Sequence, residues 1–434
     1  MVDRNRSRRP GKHASKRVCA LLWDESLAWG LMARRALQEA GLPFDLLRSE
    51  EIRQGALTRY RMLFVPGGWA SNKLYALGGQ GREKIRSFVE AGGHYLGICG
   101  GAGMATEDGM GLVPVRRKAS TERVASFSGP IRIALARHQI WQGIQTPVFF
   151  AWWPSQFQSG DQRVRVLATY EEAGPDAFSS DIPVAEGRVI GWPDLEKRYG
   201  ILLDPARLHG EPAVMEGRLG LGRVVLSLVH FDTPGDPNGA AVLQNLWDDL
   251  APGWSSETRS GGISSHCHPL PALPPELVGC LGIVNSAVAD LIEWGTKHSL
   301  WYWRNPLLLQ WRRGVRGLEY GTLAVMIGEI GTRLDSPRPH AGRPRREGID
   351  LQPLREGLDE IRVRIVPFVE EAKDLLERER FYMERAVLSP LECSDPAISR
   401  IRQSLFGTAM SHGGRFKQLI DTVDRILFSL IRDD

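Results

Sequence analysis

The most chemically loaded spot in this 434-residue chain is a lone cysteine set among glycines, Gly97-Ile98-Cys99-Gly100-Gly101. A cysteine packed in a core has no use for glycine on both sides. A nucleophile held on a tight strand-to-helix turn does, because the turn is too crowded for neighbouring side chains. Amides that follow such a nucleophile point at an incoming carbonyl and act as oxyanion donors. The helix start also favours the thiolate over the thiol. Gly100 would supply one such amide. Gly67 and Gly68, closing the apolar run "MLFVPGG", would supply a second from a neighbouring strand end.

A thiol nucleophile needs a base, and the base needs an acceptor to orient it. Of the ten histidines, His230 is the one placed like Cys99. It closes the apolar run "GRVVLSLVH", and Asp232 follows two residues later. Cys99, His230 and Asp232 therefore read as nucleophile, base and orienter. No cofactor is expected: there is no Walker loop, and no cysteine pair has metal-ligand spacing. The triplet His266-Cys267-His268 lacks a second ligand pair, so no metal site is expected either.

The elements that must position these residues follow from the pattern of apolar runs. "VCALLW", "FDLLR", "MLFVPGG" and "HYLGIC" read as strands, and "LAWGLMARRALQEAG" and "GREKIRSFVEAGG" as the helices between them. Strand–helix–strand alternation with short links implies a doubly wound parallel sheet. In such sheets ligands sit off the carboxyl ends of the strands, where both Pro66–Gly68 and Cys99 fall. The stretch up to Pro252 is richer in strands: "TPVFFAWW", "RVLATY", "IPVAEGRVIGW" and "GRVVLSLVHF".

These blocks reach a family. "VPGGW", "GQGREKIRSFVEAGGHYLGICGGAGMA", "PVFFAWWPSQF", "VLATYEE" and "GRVVLSLVHFD" together resemble the N-terminal domain of biotin–protein ligases. That domain belongs to the class I glutamine-amidotransferase-like superfamily. The resemblance covers roughly residues 16–252. It implies a flavodoxin-like α/β fold with the nucleophile at Cys99 and the triad histidine at His230. His230-Phe231-Asp232 replaces the usual His-Pro-Glu, and the glutamine that follows the nucleophile block in true glutaminases is missing. The ligase's own glycine-arginine-rich biotinyl-adenylate loop has no counterpart here, so biotin ligation is not expected.

Composition and charge bound the rest. Residues 1–17 hold seven Lys/Arg against one Asp, so this basic arm, read as a disordered leader, carries more positive charge than the chain's net +4 and the rest is slightly acidic. Nucleic acid is not the expected partner. Five scattered cysteines (Cys19, Cys99, Cys267, Cys280, Cys393) suit a reducing, cytoplasmic setting, and no uninterrupted apolar run is long enough to span a bilayer. Residues 18–252 form the expected amidotransferase-like domain and 253–275, rich in Gly, Ser and Pro, the linker. Residues 276–434 are expected to form an all-α helical bundle. Its stripes are Leu281-Val284-Val288-Leu291, Leu351 to Leu375 and Phe416 to Leu430. Pro367 should kink the middle helix, and "WYWRNPLLLQW" reads as an interface, a membrane-surface patch or a buried helix junction. Two functions fit: a Cys-His-Asp amidohydrolase or amidotransferase acting on a small-molecule amide, or a non-catalytic module binding a small molecule or a partner. In either case the helical half offers a surface for a protein partner.

Overall fold

A computed structural model of the chain describes residues 16–124, 126–252, 273–335, 351–389, 393–407 and 413–432. Residues 1–15 of the basic arm, the His266–His268 triplet with most of the linker, and the loop 337–346 lie outside the described residues, while Arg17, at the arm's end, opens the first strand.

Residues 17–105 fold as their periodicity dictates. Strands β1 (Arg17–Leu22), β2 (Asp45–Leu47), β3 (Tyr60–Val65) and β4 (His94–Ile98) alternate with helices α1 (Ala28–Glu39), α2 (Ser49–Arg53), α3 (Ala70–Glu90) and α4 (Gly100–Ala105). The near-continuous apolar runs of β1 and β3 are buried, as strands covered on both faces must be. Strand order is β2-β1-β3-β4, all parallel, and the strand Gly222–Ser227 adds in parallel beyond β4. From there the sheet turns antiparallel through Pro212–Leu219, Arg165–Ala173 and Phe127–Leu135, giving 11 strands in all. The architecture is an α/β fold on a mixed sheet, parallel in its first half, followed by a helical region. The carboxyl ends of β1, β3, β4 and Gly222–Ser227 bring four connections to one mouth.

The strand expected over "IPVAEGRVIGW" is a difference. Only Ile182–Pro183 is extended, and helices Val184–Ile190 and Trp192–Tyr199 follow. The buried residues of the first helix, Val184 and Gly187, are three apart, while Val189 and Ile190 face solvent. Spacing of three belongs to a helix, and so short a run does not show it against period two.

The C-terminal region holds helices Pro275–Lys297, Gly317–Asp335, Gln352–Met383, Pro396–Phe406 and Gly414–Ile431. The apolar stripes form its core: Val284, Leu291, Leu358, Ile365, Phe416 and Val423 are all buried. Helix Gln352–Met383 runs on through Pro367. The "WYWRNPLLLQW" stretch is not a helix junction but a β-hairpin, Trp301–Asn305 against Leu308–Trp311. Asn305 closes its turn by accepting the amides of Leu307 and Leu308 at 2.8 and 2.9 Å. Helix Pro275–Lys297 is long and apolar enough, by length and composition alone, to cross a membrane. A search for uninterrupted apolar runs passes over it because Glu276, Asp290 and Glu293 punctuate it. One of its faces, with Leu277, Cys280 and Val284, is buried, and the helix packs against Gln352–Met383.

The helical region is joined to the sheet at several points. Trp23, just past β1, donates its indole N–H to Asp424 at 2.7 Å, and Arg48 reaches both Asp24 (2.6 Å) and Asp424 (2.9 Å). Lys417 pairs with Glu25 at 3.0 Å and Arg35 with Glu329 at 2.7 Å. The hairpin adds Arg304, which donates to the carbonyls of Ser128 (3.1 Å) and Asp176 (2.9 Å). Cutting within 253–272 should therefore yield two fragments that stay together on native size exclusion and separate only in denaturant. Separation under native conditions would show that these contacts contribute little.

Candidate active site

Cys99 stands between β4 and α4 with φ 51° and ψ −106°. A left-handed φ on a residue with a side chain is strained, and here it turns the thiol out of the sheet. The glycines around it are required by close approach. A Cβ on Gly97 would lie 2.7 Å from the Gly101 carbonyl, and one on Gly100 would overlap the carbonyl oxygen of Gly68. A Cβ on Gly101 would overlap the Val65 carbonyl oxygen. The Tyr95 hydroxyl pins the turn by donating to the Gly101 carbonyl at 2.6 Å. Among the described residues, neither the Gly68 amide nor the Gly100 amide has an acceptor. Two unspent N–H donors therefore flank the thiol, as an oxyanion site requires.

His230 lies three residues beyond the strand Gly222–Ser227, its amide bonded to the Phe150 carbonyl at 2.7 Å. Its Nδ1 sits 2.9 Å from Asp232 Oδ1, and both side chains are fully buried. Trp29 covers the imidazole at a centroid separation of 5.0 Å, and a Cβ on Gly67 would come within 3.2 Å of His230 Cε1. Burial by itself pushes the imidazole pKa down. Asp232, with the Cys99 thiol adding to it, outweighs that and raises it to about 9. Among the described residues His230 Nε2 has no hydrogen-bond partner, and the Cys99 thiol points at the Trp152 carbonyl at 3.8 Å. The thiol is close enough to the imidazole to favour its protonated form.

All the sequence-designated residues thus meet at one mouth: Cys99, His230 and Asp232, with Gly67, Gly68 and Gly100 beside them. Among the described residues no cluster of three or more His, Cys, Asp or Glu side chains could hold a metal ion. Two cavities of about 470 and 400 Å³ lie elsewhere, one against Glu107 and Asp161, the other between Asp24 and Asp424.

Several neighbours escaped the sequence reading. Lys73, in the first turn of α3, is fully buried, and its amine donates to Ser26 Oγ and, at 3.4 Å, to the Asp24 carbonyl. Burial lowers its pKa to about 7 against the opposing pull of Glu25, Asp24, Asp424 and Cys99. A file of tryptophans leads outward from His230. Trp29 meets Trp153 edge-on (6.1 Å), and Trp153 stacks on Trp311 of the hairpin (4.7 Å). Nothing in the spacing of "SNK" or "LLQW" marks Lys73 or Trp311.

The raised His230 pKa has a stability consequence. The folded value lies above the unfolded one, so the folded state holds the proton more tightly. The contribution is fully present below about pH 6.5, the unfolded value, and is lost as pH rises through about 9. Denaturant midpoints of the wild type should fall across that window, and His230→Ala should flatten this part of the profile.

Residues 54–109 match the model of the biotin–protein ligase N-terminal family. No curated protein sequence matches the chain. Among solved structures, the chain is similar to a putative GMP synthase protein from Thermoplasma acidophilum. That likeness has 12% identity, 54% of this chain and 94% of that one, and a TM-score of 0.36. It is similar to a glutamine amidotransferase at 19% identity over 54% and 97% of the two chains, TM-score 0.34. It is also similar to a putative ThuA-like protein from Bacteroides uniformis, at 10% identity over 57% and 95%, TM-score 0.37. The chain is an α/β protein whose residues 54–109 match the N-terminal family model of biotin–protein ligases.

Proposed function

We propose that the protein is a cysteine-dependent hydrolase or transferase acting on the C–N bond of a small-molecule amide. The observation that carries this reading is the convergence at one mouth. The strained Cys99 elbow, the buried His230–Asp232 pair with Nε2 unspent, and the free amides of Gly68 and Gly100 come together there. In the reaction, the Cys99 thiolate attacks the amide carbonyl and the oxyanion settles on the two glycine amides. The C–N bond then breaks as the His230 imidazolium delivers its proton to the leaving amine. Water, or an acceptor amine, attacks the resulting thioester. His230 takes a proton from it, and the thiol is released with the acid or new amide. Asp232 holds the Nδ1 proton and so keeps Nε2 facing the substrate. A histidine still protonated at neutral pH suits the acid half of this cycle.

A second reading, a non-catalytic binding pocket, is favoured by one observation: the Cys99 thiol is turned to the Trp152 carbonyl. In both readings the region 18–252 provides the pocket, 276–434 carries a protein-partner surface, and the setting is cytoplasmic. p-Nitrophenyl acetate separates them. A burst of nitrophenol, acetylation confined to Cys99, and continued turnover that Cys99→Ala abolishes support the enzyme. Acetylation no faster at Cys99 than at Cys393, with no turnover, supports the pocket.

A further inference from the structure

Arg123 is a cation without an anion. It follows the short turn Ser120–Glu122 and is half-buried, yet among the described residues no carboxylate reaches it. Its only hydrogen bond is a long one, from NH1 to Ser155 Oγ at 3.3 Å, and its Nε is sealed from solvent with no acceptor. Leaving a guanidinium desolvated and unpaired is costly, and proteins normally offset it with carbonyls, rings or acids. Arg304 shows the usual solution, with the Ser128 and Asp176 carbonyls as acceptors and the rings of Trp152 and Phe178 beneath it. Arg123 has none of these.

Its place in the fold says where the missing anion would come from. Ser155 belongs to the same connection as Trp152, whose carbonyl receives the Cys99 thiol, and the Val124 amide bonds Gln156 of that connection at 2.7 Å. Arg123 therefore lies along the wall of the Cys99 mouth. Burial lowers its pKa, the neighbouring Arg117 lowers it further, and the one group pulling the other way is Cys99 itself. Arg117 is exposed and adds to a positive field on this side of the site.

We propose that Arg123 anchors a carboxylate on the amide substrate, making the pocket selective for anionic amides. This rests on the reading of Cys99 as the reacting group. The guanidinium offers a bidentate fork, the geometry a carboxylate fits, through its two terminal nitrogens, of which NH1 makes only the long bond to Ser155. The carboxylate would neutralise the charge that the fold leaves open and set the amide carbonyl over the thiol.

The test uses the full-length protein and matched alkylating agents that differ only in charge. These are iodoacetate against iodoacetamide, and N-(iodoacetyl)glycine against N-(iodoacetyl)glycinamide for the longer reach. Cys99 labelling is read by mass spectrometry and normalised to Cys393. At least one anionic reagent should label Cys99 faster than its neutral twin. Arg123→Gln should cut that ratio about tenfold, the scale of one hydrogen bond to a charged group, and Arg123→Lys should restore part of it. The anionic-to-neutral ratio cancels any change in thiolate fraction when the cation is lost, and labelling by the neutral reagents still faster at Cys99 than at Cys393 reports an intact site. A ratio indifferent to Arg123→Gln, or a preference for the neutral reagents, overturns the anchor while leaving Cys99 reactive. If Cys99 labels no faster than Cys393 with any reagent, the catalytic reading itself fails.

Discussion

Gly100→Ala should destabilise the protein by about 3 kcal/mol or more, and Gly103→Ala, three residues on in the same helix, should not. At Gly100 a Cβ would run into the Gly68 carbonyl oxygen, and its next-nearest atoms are the Gly68 carbonyl carbon and amide nitrogen. These are backbone atoms on a neighbouring strand end, so neither can swing aside like a side-chain tip. One of the two connections must move, and both carry an oxyanion amide. At Gly103 a Cβ would meet only Ala70 Cβ, at an ordinary 3.7 Å, and alanine gains up to about 1 kcal/mol of helix propensity. Urea titrations of the two variants should differ accordingly, and Cys99 labelling should collapse in the first alone. Equal midpoints would mean that β3 and β4 do not approach as closely as described.

The second large effect lies where the C-terminal helix meets the β1 loop. Arg48→Met should cost roughly 2–4 kcal/mol, because it strands Asp24 and Asp424 together without their shared cation. The side chain also lies over the Phe428 ring at 4.2 Å, which methionine partly replaces, so the loss is chiefly electrostatic. Asp424 gives the effect a pH signature. Burial first, and Asp24 next, raise its pKa to about 6 against the lowering by Arg48 and the Trp23 indole. The folded value exceeds the unfolded 3.8, so the folded state binds more protons between them. This contribution is therefore present below the unfolded value and lost as pH climbs through about 6. Arg48→Met should steepen that fall, and Asp424→Asn added to it should recover part of the stability at neutral pH. A flat profile in Arg48→Met would show that Asp424 finds another partner.

Much of this was legible in the sequence, for identifiable reasons. The parallel half of the sheet announces itself because its strands are buried on both faces and read as unbroken apolar runs. Cys99 was legible because backbone crowding around an elbow admits only glycine, and that need is written in the chain. His230 and Asp232 were legible because both sit just past one strand end. The residues that complete the site were not. Lys73 is a charged residue at a helix start, where solvent exposure is the ordinary outcome; it is buried because the Asp24–Leu27 loop closes over it. Trp311 reaches the Trp153 ring from more than 150 positions away, a contact set by how the hairpin docks and not by any local pattern. The helices after Pro183 were hidden by brevity, since seven residues carry too few buried positions to separate period two from period 3.6.

The most direct test of the central claim is the rate at which iodoacetamide labels Cys99 near neutral pH, compared in wild type, His230→Ala and Asp232→Asn. Cys19 and Cys393 serve as internal references: burial raises the Cys19 thiol well above its usual range, and Cys393 is half-buried far from His230 in sequence. The account predicts that Cys99 labels first in the wild type. It also predicts a slowing of at least about tenfold in His230→Ala, where the imidazolium partner is gone. Asp232→Asn should slow labelling less, because the imidazole remains but is no longer held by a charge. Labelling of Cys99 at the pace of Cys393, or at a pace that does not respond to His230, would contradict it.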